Sequence, residues 1–568
     1  MGLYMSIKAK DFKSFDVAKC LELLRLRRVD LLCQEIFSIL KHCNDVYYTS
    51  FSRDDLKGIN SFVGFILFLF TQEDFRIPDA WVGRFVNMNH LLINLVAISG
   101  YRNTDGAVRA LLGQDGNYAK ILSLYTCRNE ALINMSDLVG PNPVLGSVWW
   151  NNFSVAPPGS TSQLVYDQML RHLRELPENL NLPDYRVEPN YFQCSYYGID
   201  ERKIKEKYNE QVRKFTSKYQ ITSVPRAGSL AIVTDKWSTK TAVYKSSYPQ
   251  IAALASKYDL TLVCSSKANQ EQMDMSLFNR VLTYTIGLDK IDLSEITTND
   301  FELAYFPDVG MTDDSVFLAN TKIAPLMVCG YGHPVSTFGS LIDYFIGGVE
   351  SEDLDTCQDN YSEQLVLIPG LGAHPVDPMY TRKYPIKDKV YINCCWTTSK
   401  INWPMLKMLR EVLDACPNVH YQFFPSWTST RYNNFIILNR ELSEIFNGHV
   451  TVYPDLPYHD YLEKMEQGTL TVDSYPFGGY NTVVDSLFAN CPVVTIEGTK
   501  FYNRASTALC RRVGLDLSSK SIEECKKRIV SAIKRPHLVP DVEVLRKLLI
   551  DTNEAKYFVS AIDKILKM

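Results

Sequence analysis

No stretch of this sequence is apolar enough to cross a bilayer: the longest apolar run, Phe62 to Phe70, falls far short of the ~20 residues a spanning helix needs. That run is expected to be a buried core helix. The N-terminus lacks the basic, then apolar, then small-residue order of a secretory signal, so nothing there directs export. It begins Met1-Gly2 with Ser6 where a myristoylation signal would want it, a short pattern that we read as chance. Paired C-x-x-C spacing is missing too. The 14 cysteines are scattered, with Cys394 and Cys395 adjacent, which argues against a zinc site or a disulfide framework and for reduced thiols in a cytoplasmic protein. Neither sign of charge dominates. Lys and Arg number 60 against 64 Asp and Glu, the formal net charge is −4, and no block of five basic residues occurs, so a nucleic-acid partner is not expected. Fixed-period repeats and low-complexity segments are likewise missing.

What remains is an ordinary folded composition, 46% apolar and 12% aromatic, in 568 residues, more than one hydrophobic core can serve. Three domains are expected, with boundaries at 1–225, 226–385 and 386–568. Up to about residue 225 the apolar spacing is helical, as in Val17 to Leu40 and Met88 to Ile98. After Val224-Pro225 short apolar runs (Leu230 to Val233, Leu260 to Cys264, Pro325 to Cys329) alternate with amphipathic stretches such as Val243 to Lys257. A second series begins at Val390 and runs Trp403 to Ala415, Val419 to Phe424, Val450 to Tyr453, Tyr458 to Glu466, Thr469 to Val472, Thr482 to Ala489 and Pro492 to Ile496. Alternation of this kind predicts an α/β protein with two doubly wound sheets in series behind an all-α N-terminal domain. The stretch Pro369 to Pro375, rich in glycine and proline, suits a connection between the two lobes. A ligand is expected at the carboxyl ends of the strands, in the cleft.

The densest chemistry lies in Asp473 to Phe488, which follows a strand and opens a helix. Gly478 and Gly479 let backbone approach a ligand, and the first amides of a helix attract a diphosphate. Asn481 or Thr482 is expected to cap that helix, and Asp485, one turn in, to accept from sugar or ribose hydroxyls. A glycine turn before a capped helix is also ordinary α/β construction, so the segment needs support from elsewhere. A departing diphosphate must be neutralised by a cation, a metal or helix-end amides. Lys400, in Cys395-Trp396-Thr397-Thr398-Ser399-Lys400 directly after a strand, is placed to be that cation; the other reading is a solvated surface lysine. The segment Tyr453 to Leu462, with Pro457 near a helix start, offers backbone that can read a uracil edge or is simply a turn. In the first lobe, Gly330 to Thr337 carries His333 on a loop expected to face the cleft.

These segments, in this order and spacing, resemble the family that holds the O-GlcNAc transferases and the bacterial cytoplasmic N-glycosyltransferases that modify high-molecular-weight adhesins. The match is nearest the second group: Pro457-Tyr458-His459-Asp460-Tyr461-Leu462, then Pro476-Phe477-Gly478 with Asn481 and Asp485, then Arg511, Val513, Gly514 and Leu515. Gly332-His333-Pro334 resembles the bacterial histidine loop, and Tyr361-Ser362-Glu363 with Leu365 and Pro369 is similar to both groups. The resemblance covers about residues 226 to 530. It implies the GT-B fold of two Rossmann-like lobes and an inverting transfer of a hexose, glucose foremost, from a UDP-sugar to asparagine, without metal or other cofactor. It implies further that Lys400, beside Thr398, holds the leaving diphosphate with Asn481 and Thr482. Asp485 would hold the ribose, Pro457 frame the uracil, and His333 lie by the donor sugar and the attacking atom. The expected partners are a UDP-hexose and a protein or peptide acceptor, an adhesin among the candidates. Two departures bear on the acceptor and the hexose. Asp235-Lys236-Trp237-Ser238-Thr239-Lys240-Thr241 stands where the bacterial enzymes carry a histidine-rich loop, and Asp455 stands for a histidine in the uracil loop. Serine or threonine acceptors, a glycan acceptor and a non-catalytic sugar-nucleotide binder remain the alternatives. The Asp-x-Asp triplet within Glu350 to Asp355 is read as chance acidic clustering rather than a metal site.

Overall fold

The computed structural model describes residues 8–114, 116–155, 159–387, 389–426, 434–535 and 537–568. The Met1-Gly2 and Ser6 pattern lies outside them. The chain divides into two compact units, one of Met1–Pro183, Trp396–Arg410 and His420–Leu456, the other of Asp184–Cys395, Glu411–Val419 and Pro457–Met568.

The first unit is mainly helical. Its longest helix, Arg53–Thr71, starts on a capping box in which Ser52 and Asp55 satisfy each other's backbone amides. It buries Phe62, Val63, Phe65, Ile66, Leu69 and Phe70, so the longest apolar run is a core helix, as expected. Among the described residues no helix is long and apolar enough to cross a membrane. The helical pattern from Val17 to Leu40 is broken into Val17–Arg25 and Val29–Asp45, because Arg27 takes a left-handed φ of 54° that no helix continues through. Two parallel strands also belong to this unit, β10 (Val419–Phe423), which enters it at His420, and β11 (Val450–Val452), registered Tyr421 to Val450.

The second unit carries an eight-stranded sheet in the order β4-β3-β2-β1-β5-β6-β7-β8. Its strands are β1 (Ser229–Val233), β2 (Asp259–Ser265), β3 (Arg280–Ile286), β4 (Ile291–Asp292), β5 (Leu303–Phe306), β6 (Leu326–Cys329), β7 (Tyr344–Gly348) and β8 (Gln364–Ile368). All pairings are parallel except β3 with β4. β1 is buried at every residue, and such strands read as unbroken apolar runs because helices cover both faces. The sheet order turns at β1 and β5, the switch point where ligands bind in doubly wound folds. A second parallel run pairs β9 (Val390–Cys394) with β12 (Leu470–Val472), β12 with β13 (Val493–Ile496) and β13 with β14 (Ser518–Ser519). The helix Ala555–Ile565 follows this second run in sequence. Its Phe558, Ala561, Ile562 and Ile565 nevertheless pack into the core of the first sheet with Leu230, Ile232 and Leu262. Helices Glu188–Gln193 and Arg202–Thr216, which precede β1, belong to this unit as well. All 14 cysteines are unpaired.

Candidate functional site

β12 delivers the chain into the turn that begins at Asp473. Asp473 is buried, and its Oδ1 accepts the Gly479 amide at 2.8 Å, while the Gly478 amide donates to Tyr502 O at 2.8 Å. A Cβ on Gly479 would meet Thr482 Oγ1 at 2.2 Å, so glycine is required there by the protein's own packing. Both glycine amides are thus bonded within the protein. The expected cap is revised. The helix Asn481–Phe488 starts at Asn481 itself, and the residue before it, Tyr480, makes no side-chain cap. Tyr480 is held instead by its hydroxyl, which donates to Ala373 O at 2.7 Å in the connection between the sheets. No side chain therefore closes the positive end of this helix from the cap position, which leaves it suited to an anion.

Asp485, one turn in, is buried, and Tyr458 donates its hydroxyl to Asp485 Oδ1 at 2.6 Å. Burial pushes the Asp485 carboxyl up to about 6, against the opposing pull of that hydroxyl and of Lys245. Lys245 lies 4.5 Å from the Tyr458 ring centre, a cation over an aromatic face. Together Lys240, Ala242, Lys245, Val376, Tyr458, Asn481 and Asp485 line a cavity of about 170 Å³. Lys240 closes the loop after β1, and Lys245 sits on the helix Ala242–Ala255, so residues that follow both sheets meet in one polar pocket. The sequence reading named Asp485 and Asn481 but missed the two lysines. Lys240 was visible only as part of the segment that replaces a histidine-rich loop. Pro457 is exposed at the start of the helix Tyr458–Glu466, whose hydroxyl-bearing Tyr458 does the pairing.

His333 is buried. Its side chain is 3% exposed, sandwiched between the Phe192 ring at 4.5 Å and the Phe477 ring at 5.8 Å, and Phe477 stacks in turn on Tyr502 at 4.8 Å. Burial, aided by the charge of Lys205, holds the imidazole well below its usual range, so it is neutral. Nε2 has no hydrogen-bond partner among the described residues. The loop thus joins the Pro476-Phe477-Gly478 motif through ring contact. The cause of its seat is steric: a Cβ on Gly332 would fall 1.8 Å from Pro307 O, so the two first-lobe loops lie directly on one another.

That contact brings in Asp308, which the sequence reading did not single out. It is 1% exposed, accepts from Thr234 Oγ1 at 2.9 Å through Oδ2, and leaves Oδ1 without a partner among the described residues. Burial pushes its carboxyl up to about 7, and the neighbouring Asp235 adds to the rise. Asp235 is raised by burial as well, while accepting the Ser265 amide at 2.6 Å and the Tyr284 hydroxyl. No spacing rule marks Asp308; its only sequence signal is its place after β5, at the switch point.

Lys400 and Thr398 belong to the first unit. They form the short helical turn Thr398–Lys400, in which the Lys400 amide bonds Thr397 O at 2.9 Å. The following residue is anchored by Ser160, whose amide donates to Ile401 O at 2.9 Å, and Lys400 itself is half-buried. In the acidic stretch Glu350 to Asp355, Glu350 pairs with Arg512 at 2.6 Å and Glu352 accepts from the Tyr361 hydroxyl at 2.6 Å, so both carboxylates already have structural partners.

No family model matches the chain. It is 26% identical over 387 residues to the UDP-glucose:protein N-beta-glucosyltransferase of Actinobacillus pleuropneumoniae serotype 5b, a match covering 63% of this chain and 61% of that protein. It is 25% identical over 236 residues to the probable UDP-N-acetylglucosamine–peptide N-acetylglucosaminyltransferase SPINDLY of Arabidopsis thaliana, covering 40% of this chain and 25% of that one. The chain therefore spans about three-fifths or less of the length of these relatives. In three dimensions it is similar to a mutant O-GlcNAc transferase of Thermobaculum terrenum, with a TM-score of 0.57 at 16% identity over 91% of this chain and 99% of that one. The expected resemblance to bacterial protein N-glucosyltransferases and O-GlcNAc transferases is borne out, as is the GT-B fold.

Proposed function

We propose that this chain is a protein glycosyltransferase that moves a hexose from a UDP-sugar to a protein side chain, with inversion and without a metal ion. The observation that carries the reading is the polar cavity in which Asp485, Tyr458, Asn481, Lys240 and Lys245 converge. It combines a carboxylate for ribose hydroxyls, an uncapped helix start for phosphate oxygens and two ammonium groups. The likeness to UDP-glucose-dependent N-glucosyltransferases supports glucose as the sugar and asparagine as the acceptor.

In this reading the acceptor nitrogen attacks the anomeric carbon from the face opposite UDP. The carbon–oxygen bond to the diphosphate breaks, its electron pair stays on the β-phosphate oxygen, and the acceptor surrenders one proton. Lys400 takes up the negative charge that appears on UDP, with Thr398, Asn481 and Thr482 as further phosphate contacts and Pro457 beside the base. The proton goes to His333 or Asp308, the neutral imidazole with an unpartnered Nε2 and the carboxylate with an unpartnered Oδ1. The imidazole is neutral, and the Asp308 carboxyl, raised to about 7, is ionised in part near neutral pH. The protein works in the cytoplasm on this reading, where UDP-sugars are at hand and its unpaired cysteines stay reduced.

The test is to incubate the protein with a panel of UDP-sugars and a peptide library that includes Asn-X-Ser/Thr, and to read mass shifts. A hexose added to asparagine is expected. A shift on serine or threonine alone would replace the acceptor assignment, and UDP binding without any transfer would replace catalysis by sugar-nucleotide binding.

A further inference from the structure

A second polar cavity lies wholly within the helical unit and shares no residue with the one around Asp485. It measures about 310 Å³ and is lined by Arg102, Arg128, Arg440, Glu441, Glu444 and the start of the helix Gln163–Arg174. Three guanidinium groups meet two carboxylates here, and the pairing is incomplete. Glu441 is fully engaged: Arg128 Nη1 donates to Oε1 at 2.8 Å, Thr161 Oγ1 donates to Oε2 at 2.5 Å, and Arg440 Nη2 lies 3.6 Å away. Glu444 is 4.0 Å from Arg440 Nε, beyond hydrogen-bond reach.

Arg440 Nη1 donates to Ala97 O at 2.9 Å, but three further donors are unmet. Arg128 Nε and Nη2 and Arg440 Nε are buried without a hydrogen-bond partner among the described residues. Nε and Nη2 form the side-on fork of a guanidinium, the pair of parallel N–H groups that matches two oxygens of one anion. Buried donors left unmet are destabilising, so a group that supplies oxygens here stabilises the protein. Arg102 lines the cavity and holds a left-handed φ of 65°. Burial, then the charge of Arg102, holds the Arg440 guanidinium below its usual range, the mark of like charges brought together. The helix Gln163–Arg174, capped by Ser162 Oγ on the Val165 amide at 3.2 Å, turns the positive end of its dipole to the cavity.

We propose that this cavity is an anion site that takes the phosphate group of a small molecule. A phosphate monoester suits it better than a carboxylate, because it brings a second charge and three terminal oxygens to three guanidinium groups. The space suits a ligand about the size of a sugar phosphate. The site does not depend on the glycosyltransferase reading and stands or falls separately.

Isothermal titration at constant ionic strength, with inorganic phosphate and with glucose 6-phosphate against a chloride control, tests it. One saturable site is expected with at least one of the two probes. Tighter binding of the ester assigns the source to a phosphorylated metabolite, and equal binding assigns it to the free oxyanion. Arg102→Gln should weaken the site about tenfold and Arg102→Glu abolish it, with the circular dichroism unchanged, since a charge-assisted bond is lost in the first and a like charge added in the second. Glu444→Gln removes a competing carboxylate and should tighten binding about threefold. No saturable heat with either probe, or heat undiminished in both Arg102 variants, overturns the proposal.

Discussion

The Tyr458 hydroxyl donates to Asp485 Oδ1 at 2.6 Å, and the same ring lies 4.5 Å beneath the Lys245 ammonium. Tyr458 thereby fixes one oxygen of Asp485, leaving Oδ2 for a ligand in the cavity that both residues line. Asp485→Ala is expected to lower UDP affinity about tenfold to a hundredfold, read by titration calorimetry, while melting stays cooperative. Tyr458→Phe should lose less, because the carboxylate remains and only its orientation loosens. Unchanged UDP affinity in Asp485→Ala would remove this residue from the site.

Lys400→Ala is expected to lower kcat by about 10²–10³ without loss of fold, since its proposed work is on charge that exists only as UDP departs. A variant whose kcat is unaltered would send the search for the cation to Lys240 and Lys245, which line the cavity around Asp485.

Treatment with EDTA is expected to leave the transfer rate unchanged, because on the proposed reading protein cations and a helix end perform the neutralisation. A strict manganese requirement would overturn that assignment.

His333 separates packing from chemistry. Flanked by Phe192 and Phe477, it can be replaced by phenylalanine with the stack preserved. His333→Phe should therefore retain most of the thermal stability and lose about 10²-fold or more in transfer, whereas His333→Ala should lose both. Full activity in His333→Phe would leave Asp308 as the remaining proton acceptor.

Asp308 carries a pH signature. Its carboxyl is raised from 3.8 to about 7, so the folded protein holds this proton more tightly than the unfolded chain does. The resulting stabilisation is complete below pH ~4 and is lost as pH rises through about 7. Asp308→Asn, which cannot ionise, should raise the melting temperature relative to wild type by about 2 °C or more at pH 8 and by less at pH 5. An equal shift at the two values would mean that Asp308 is ionised in both.

Much of the architecture was legible because its signals are local. Leu230 to Val233 and Leu260 to Cys264 are apolar runs flanked by turn residues, and they are strands within a residue of where the runs begin and end. Trp403–Ala415 and Tyr458–Glu466 fall on the amphipathic stretches that predicted them. The helix break at Arg27 was not legible, since a left-handed arginine breaks no pattern of apolar spacing. The site was legible in part for the same reason. Asp485 and Asn481 sit on one short helix after a strand, and that order is visible in a line of text. The seat of His333 depends on Phe192 and Phe477, which lie far from it on either side in sequence. Lys245 reads as one more polar residue on an amphipathic helix until Tyr458 is placed beneath it. Asp308 is marked by burial and a missing partner, neither of which has a spelling in residues.

The helix Ala555–Ile565 lays Phe558 and Ile562 against Leu230 and Ile232. A ribosome making this protein has released the whole first sheet long before it reaches that helix. The sheet must wait, with one flank uncovered, through synthesis of everything that follows, and chaperone demand during production should peak in that interval.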